Sequence, residues 1–266
     1  MLKQSAISKS MKHIIRALAG AAALFGALGF AQASSVVDPT QPVVGVSQLA
    51  LSQQWWQWVL DIPASGNPLL DTDGSLAQTN NSGSVFFVAG NTGGTSTRTF
   101  AVPAGRPLFF PVLNNIDVEF PPPPDCVLHP GNPLQCALDF ISPDLNNASN
   151  LHATLDGQDL LITFPSFRQT SNVFFNIDLP SDNLFALPAG SYPAVSDGYW
   201  VALEGLSPGQ HTLIFGGTNG NGFMLEVTDT LNVPEPGTPG LVLLGALAVL
   251  GHRRFGKKGT KLDLFR

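Results

Sequence analysis

The chain has 266 residues with a formal net charge of −6, and its 27 glycines and 22 prolines are spread as punctuation, which excludes a low-complexity linker and leaves enough chain for one good-sized core. The charge is unevenly placed: of 13 Lys and Arg only Arg98, Arg106 and Arg168 lie between Ser34 and Gly237, against 18 of the 19 Asp and Glu, so this span carries 3 − 18 = −15. Such a surface repels phosphate backbones and excludes nucleic acid as a partner.

At the N-terminus Lys3, Lys9, Lys12 and Arg16 precede an almost wholly apolar run from Ala17 to Phe30, and Ala31-Gln32-Ala33 closes it. A basic stretch, a short apolar run and small residues at the two positions that signal peptidase reads predict a secretory signal over 1–33. The start codon is either Met1 or Met11, because the signal is complete from Lys12 onward.

Helical periodicity occurs once, from Val46 to Leu60, where Leu49, Gln53, Trp56 and Leu60 share a face and Trp55, Trp58 and Val59 widen it. Trp55, Trp56 and Trp58 are three of the four tryptophans. Exposed, they would stack on sugar rings; buried, they would pin the helix across the domain, and helical spacing favours burial. Next comes Asp71-Thr72-Asp73-Gly74, a fragment of a calcium loop in which Asp71 and Asp73 are the candidate ligands. No bidentate Glu follows, and Asp and Gly are also what turns prefer. No cofactor is expected.

From there the pattern is strand-like. Nine short runs rich in Phe, Val, Ile, Leu and Thr are predicted at 84–89, 97–102, 107–113, 151–155, 159–164, 172–179, 198–203, 210–215 and 222–233. Asp156-Gly157 reads as a tight hairpin turn, and Pro208-Gly209 as the tip of another turn. With no further helix between the strands, the predicted fold is all-β, a β-sandwich or jelly roll with one short N-terminal helix, spanning 34–232. Cys126 and Cys136 both fall in this segment and are expected to form a disulfide in an oxidising compartment, stapling the Pro-rich stretch 121–133. Tyr199 and Trp200 form a second aromatic pair, counted with the first three tryptophans as candidate carbohydrate-binding residues.

Catalytic patterns are missing from the sequence: it has no G-x-S-x-G, no H-E-x-x-H and no phosphate-binding glycine loop. His129, His152 and His211 are far apart, and His211 is expected on a polar strand face. Paired carboxylates for glycoside chemistry stay open with so many acids, although an Asp-rich surface yields pairs by chance.

The C-terminus repeats the theme of the first residues. Val233-Pro234-Glu235-Pro236-Gly237 leads into an apolar run from Gly240 to Gly251, followed by His252, Arg253, Arg254, Lys257 and Lys258. The run is short for a spanning helix but inserts marginally with snorkelling Lys and Arg, and the basic cluster holds that end in the cytoplasm. Pro-Glu-Pro, a short apolar helix and an Arg-rich end, in this order and behind a signal peptide, resemble the PEP-CTERM sorting signal. The resemblance covers 233–258 of a sorting-signal segment taken as 233–266, with Pro234, Glu235, Pro236, Arg253 and Arg254 as its marks, and the tail 259–266 departs from the pattern. It implies an exosortase-type processing enzyme as partner, transient anchoring in the inner membrane, and release to the cell surface or beyond. The segments WWQW, NPLLDTDG, SGSVFFVAGNTGG, RTFAVPAGRPLFFPVLN and SDGYWVALEGLSPGQHTLIFGG also resemble a group of secreted bacterial proteins of unassigned function. On these grounds we expect an exported, non-catalytic surface or extracellular-matrix protein. The alternatives are a carbohydrate-binding module for exopolysaccharide and, behind it, a secreted hydrolase using paired acids.

Overall fold

A computed structural model describes residues 35–118, 129–161 and 166–235. The expected secretory signal and, beyond Glu235, the expected sorting signal lie outside the described residues. Among the described residues no helix is long and apolar enough to cross a membrane.

The described residues are mostly β-sheet, with two α-helices and two mixed sheets. Helix α1 (Gln48–Leu60) begins where the Ser47 side chain accepts the Ala50 N–H, satisfying one of the unpaired donors of the first turn. The first sheet is built on the fifteen-residue strand β9 (Gly190–Glu204). Its antiparallel partners are β1 (Ser35–Val36), β4 (Leu108–Val118), β7 (Arg168–Thr170) and β8 (Phe175–Leu179), and β2 (Phe86–Phe87) lies parallel to β4. The second sheet runs in the order β3 (Gly94–Ala101), β11 (Met224–Val233), β10 (Gly209–Thr218), β5 (Ser149–Leu155), β6 (Gln158–Asp159), with β3 and β11 parallel.

Alternation along β9 distributes the core. Tyr199, Val201 and Leu203 join Phe110, Phe215, Leu213 and Val227 in a cluster shared by the two sheets. Trp200, Ala202 and Ala194 point the other way, under Trp55, Trp56, Val59 and Leu60 of α1. The layers are therefore helix, first sheet, second sheet. Toward the other end of β9, Val195 packs on the second helix, α2 (Pro133–Asn146), through Ala137, Leu138 and Ile141.

Eight of the nine predicted runs carry a strand, while the run at 159–164 meets β6 only at Asp159 and its residues 162–164 lie outside the described ones; Asp156-Gly157 makes the expected turn with φ of +52° and +79°, pairing Leu155 with Gln158. Two expectations need correction. Helix α2 is a second helix where only one was expected. Its N-cap Asn132 accepts the Gln135 N–H, and Pro133 stands in the first turn, where its missing N–H costs nothing. The turn at Pro208-Gly209 does not close a hairpin: β9 ends in the first sheet and β10 begins in the second, so the turn carries the chain between them.

Candidate functional site

The aromatic cluster does not form a sugar-stacking platform, because its members are spent on one another. Trp55 and Trp200 are fully buried, their rings edge to face with centroids 5.4 Å apart, and Trp200 stacks on Phe109 at 5.3 Å. The Trp55 indole N–H donates to the Val88 carbonyl at 2.9 Å, and that of Trp58 to the Thr79 carbonyl at 2.9 Å. Tyr199 faces the opposite side of the sheet and donates its hydroxyl to the Leu145 carbonyl at 3.4 Å. The five candidates Trp55, Trp56, Trp58, Tyr199 and Trp200 therefore do not converge on one face. Among them Trp55 and Trp56 border a cleft, described below.

Asp71 and Asp73 cap a turn. Asp71 Oδ1 accepts the N–H groups of Asp73 and Gly74, its Oδ2 accepts that of Leu76, and Asp73 Oδ1 accepts that of Ser75. The block also covers the free edge of β3, since the Thr99 N–H donates to the Asp73 carbonyl at 3.0 Å. No group of three or more metal-ligating side chains exists among the described residues.

The histidines stay apart, each against its own acid: His129 with Asp139 at 2.6 Å, His152 with Glu226 at 3.1 Å, His211 with Asp156 at 2.7 Å. His211 is buried, not on the exposed polar face expected for it. Its Nε2 lies 3.2 Å from the Ser207 hydroxyl, so Ser207, His211 and Asp156 echo a nucleophile, base and acid. The same Nε2 lies 2.9 Å from the Ser207 carbonyl oxygen, an acceptor only, and Nδ1 faces a carboxylate. An Nε2 that donates to the Ser207 carbonyl has no lone pair to take a proton from the Ser207 hydroxyl. Burial pushes His211 down, but the Asp156 carboxylate and the Ser207 carbonyl outweigh it and hold its pKa above the ordinary histidine value. The arrangement latches β10 to the Asp156 turn.

The three arginines of the span are internal fasteners. Arg98 makes a two-pronged bond to Asp229, with Nε–Oδ1 and Nη2–Oδ2 both at 2.8 Å, and donates to the carbonyls of Ala89 and Gly90. Arg168 grips Asp197 in the same way, and Asp197 also accepts the hydroxyls of Ser142 and Thr170, tying α2 to β9. Asp197 lifts the Arg168 pKa further above its usual value. Arg106 donates to the carbonyls of Asn81 and Val85 and lies over the Phe86 ring. Every fixed cation of the described residues thus serves packing, and the outer surface is left acidic.

A cleft of about 260 Å³ opens at the end of α1 between that helix, the 90–92 loop, β4 and the 184–185 loop. A second depression of about 200 Å³ adjoins it through Asn114, Asn115 and Phe223. A bulge between Pro111 and Leu113 places Asn114 in the larger cleft. Before it, Leu108, Phe110 and Val112 point between the sheets; after it, the phase reverses, and Ile116 turns toward α1. A bulge of this kind re-aims the side chains that follow it. Opposite Asn114 stands Gly198, where a Cβ would lie 2.6 Å from the Asn114 Cβ. Residues 114 and 115 sit past the end of the predicted strand at 107–113, and a run of two asparagines continuing an apolar strand was the available signal.

Pro234 and Glu235 are exposed just past β11; Pro236, Arg253 and Arg254 lie outside the described residues. Cys136 sits in the first turn of α2, and no free cysteine occurs among the described residues. Cys126 lies outside them.

No family model matches the chain, and no curated protein matches it. Among solved structures, one chain from "Structure of PbICP-C in complex with falcipain-2" aligns over 57% of this chain and 98% of its own, with 11% identity and a TM-score of 0.21. "Solution Structure of Amebosin" aligns over 52% and 95%, with 11% identity and a TM-score of 0.16.

Proposed function

We propose that the chain is an exported, non-catalytic surface or extracellular-matrix protein whose β-sandwich domain is released by an exosortase-type enzyme. The observation that carries this reading is where the folded core stops. Strand β11 ends at Val233, a buried residue, and the exposed Pro234 and Glu235 follow at once. A proline pair keeps this segment extended, so a membrane-bound enzyme reaches it without unfolding the domain. Signal peptidase would remove residues 1–33, and the apolar run with Arg253 and Arg254 would hold the chain in the inner membrane until the cut. The lysine-free acidic domain suits a protein that must stay soluble outside the cell. C-terminal mass spectrometry of native extracellular protein tests it: a terminus near Pro234-Glu235-Pro236 supports the reading, and a terminus at Arg266 refutes it.

A second reading, binding of the cell's own exopolysaccharide, is favoured by the cleft beside α1. It replaces an exposed Trp platform with a small enclosed site. Retention of the purified protein on that polysaccharide, against an unrelated glucan, tests it.

A further inference from the structure

The sequence contains Asn-Gly twice, and both copies, Asn219-Gly220 and Asn221-Gly222, fall in the turn that joins β10 to β11. Asparagine is thermolabile, and the group that attacks it is its own backbone. The amide nitrogen of the next residue adds to the side-chain carbonyl carbon Cγ, and a five-membered imide ring closes as ammonia leaves. Water then opens the ring, giving aspartate or the isomer in which the chain runs through the side chain. A following glycine has no Cβ to crowd the attacking nitrogen. Water is the one co-reactant, and the net change is a side-chain NH2 exchanged for OH.

The turn does not treat its two asparagines alike. Asn219 Oδ1 accepts the N–H groups of Asn221 and Phe223, both at 2.9 Å, and the side chain turns toward Gly220 only by giving them up. The Gly220 N–H donates to the Asp144 carbonyl at 3.2 Å, and a Cβ on Gly220 would lie 2.6 Å from that of Asn147, so the end of α2 closes on this residue. Asn221 and Gly222 are both exposed, and a Cβ on Gly222 would meet nothing within 4 Å among the described residues. The Gly222 N–H reaches only the Asn219 carbonyl at 3.4 Å, beyond the ordinary length of such a bond. One bond holds the Asn221 side chain among the described residues: its amide donates to Asp144 Oδ1.

That one bond gives the reaction a consequence. A carboxylate at 221 has no proton to donate and meets the Asp144 carboxylate as a like charge. The only other side chain bonded to Asp144 is Asn115, which is neutral and donates to Oδ2 at 3.1 Å. Arg98, Arg106 and Arg168 are tied to internal acceptors elsewhere and do not offset the new charge. Turn and helix then repel each other where they were joined. Asp144 and Asn219 line the second depression, so the loosened contact is also part of its wall.

We infer that Asn221 is a self-modification site, where slow ring closure onto the Gly222 nitrogen yields an aspartate or isoaspartate and unlatches the β10–β11 turn from α2. The inference uses the folded domain alone and stands apart from the processing and polysaccharide readings.

The test is peptide mapping by mass spectrometry of the purified full chain, held in detergent at growth temperature for weeks. The expected result is a growing fraction with NH2 exchanged for OH, placed by fragment ions at Asn221 ahead of Asn219 by at least about tenfold, the factor that two retained hydrogen bonds supply. A synthetic peptide of residues 217–224 gives the intrinsic rates, and there the two asparagines should convert alike. Asn221→Gln keeps an amide but would need a larger ring, so the conversion at 221 should disappear. The unlatching is read separately: Asn221→Asp should lower Tm by about 2–4 °C, and by much less in an Asp144→Asn background. Conversion at Asn219 as fast as at Asn221, or none at Asn221 while the peptide converts, would overturn the site. An equal loss of Tm in both backgrounds would overturn the unlatching.

Discussion

Arg98 and Asp229 stand directly opposite each other on the parallel strands β3 and β11 and are joined by two hydrogen bonds of 2.8 Å, both residues almost completely buried. A parallel pair needs distant segments to meet in one register, and this bond fixes residue 98 against residue 229 with no freedom to slip. Burial raises the Asp229 pKa, and Arg98 opposes that rise. Removing one partner strands a charge. Arg98→Met or Asp229→Leu alone should cost about 3–5 kcal/mol. The double variant should cost less than the sum, although the Ala89 and Gly90 carbonyls still lose a donor. Urea unfolding of the four proteins reads the coupling; additive costs would show that the pair is not a unit.

Gly198 faces Asn114 so closely that Gly198→Ala should destabilise by about 1–3 kcal/mol through overpacking. The variant Asn114→Gly removes the Cβ it would strike. It should recover only part of the loss, since the Asn114 Cα and the Leu113 carbonyl oxygen also lie 2.9 Å from that position. Full recovery, or no loss in the single variant, contradicts the packing at the bulge.

How far the sequence reaches is visible in these residues. The alternating runs announced most strand regions because one face of each is buried and burial writes a period of two into the residues, whereas β1 and β7, too short to show a period, fell outside them. The predicted run begins at Gly198, yet Asp197 and Gly198 lie inside β9: the glycine makes room for Asn114, and the aspartate is paired with Arg168 from a strand distant in sequence. Such contacts are written in neither neighbour. Helix α2 was legible in part, with Asn132 and Pro133 at its start and Leu134, Ala137, Leu138, Ile141 and Leu145 in helical spacing. Pro143 disguised it, because a proline inside a helix ordinarily breaks it. The cleft was not legible, since a bulge that shifts the phase of β4 leaves no mark in composition.

The latch between His211 and Asp156 makes a pH prediction. The His211 pKa is raised, so its contribution to stability is complete below the ordinary histidine value of about 6.5 and fades as pH rises through the folded value. Burial pushes the Asp156 pKa up, but its bonds to His211 and the Thr212 N–H prevail and lower it. Its contribution is complete above the ordinary carboxylate value of about 3.9 and fades as pH falls through the folded one. The latch is therefore fullest between about pH 4 and pH 6.5. A proton titration of His211 by NMR should give a midpoint above about 6.5, and Asp156→Asn should bring it down. A midpoint at or below that ordinary value in the native protein sinks the assignment.

Pairing of Cys126 with Cys136 would tether the Pro-rich stretch to the first turn of α2. Protein recovered from outside the cell should gain the mass of two hydrogens on reduction, and replacing both cysteines with serine should cost about 2–4 kcal/mol. Alkylation of both thiols before reduction counts against the bridge.

The proposed processing site gives the last prediction. Replacing Pro234, Glu235 and Pro236 with alanine removes the glutamate and the two prolines that fix the backbone on either side of it, while Pro239 remains. Alanine leaves φ free where proline fixes it, so the cleavage segment loses its preset extended shape, while Pro239 still bars the apolar run from Leu241 to Leu250 from extending backward as a helix. The β domain is untouched by the change, since Val233 is the last strand residue and Pro234 and Glu235 are exposed. The variant should therefore fold and be exported, yet accumulate uncut in the inner membrane, heavier than the mature form by the segment beyond the cut. The single substitution Glu235→Ala, which leaves both prolines in place, separates backbone shape from recognition of the glutamate. Release of the triple-alanine protein at the native rate would show that the Pro-Glu-Pro segment is not what the processing enzyme reads.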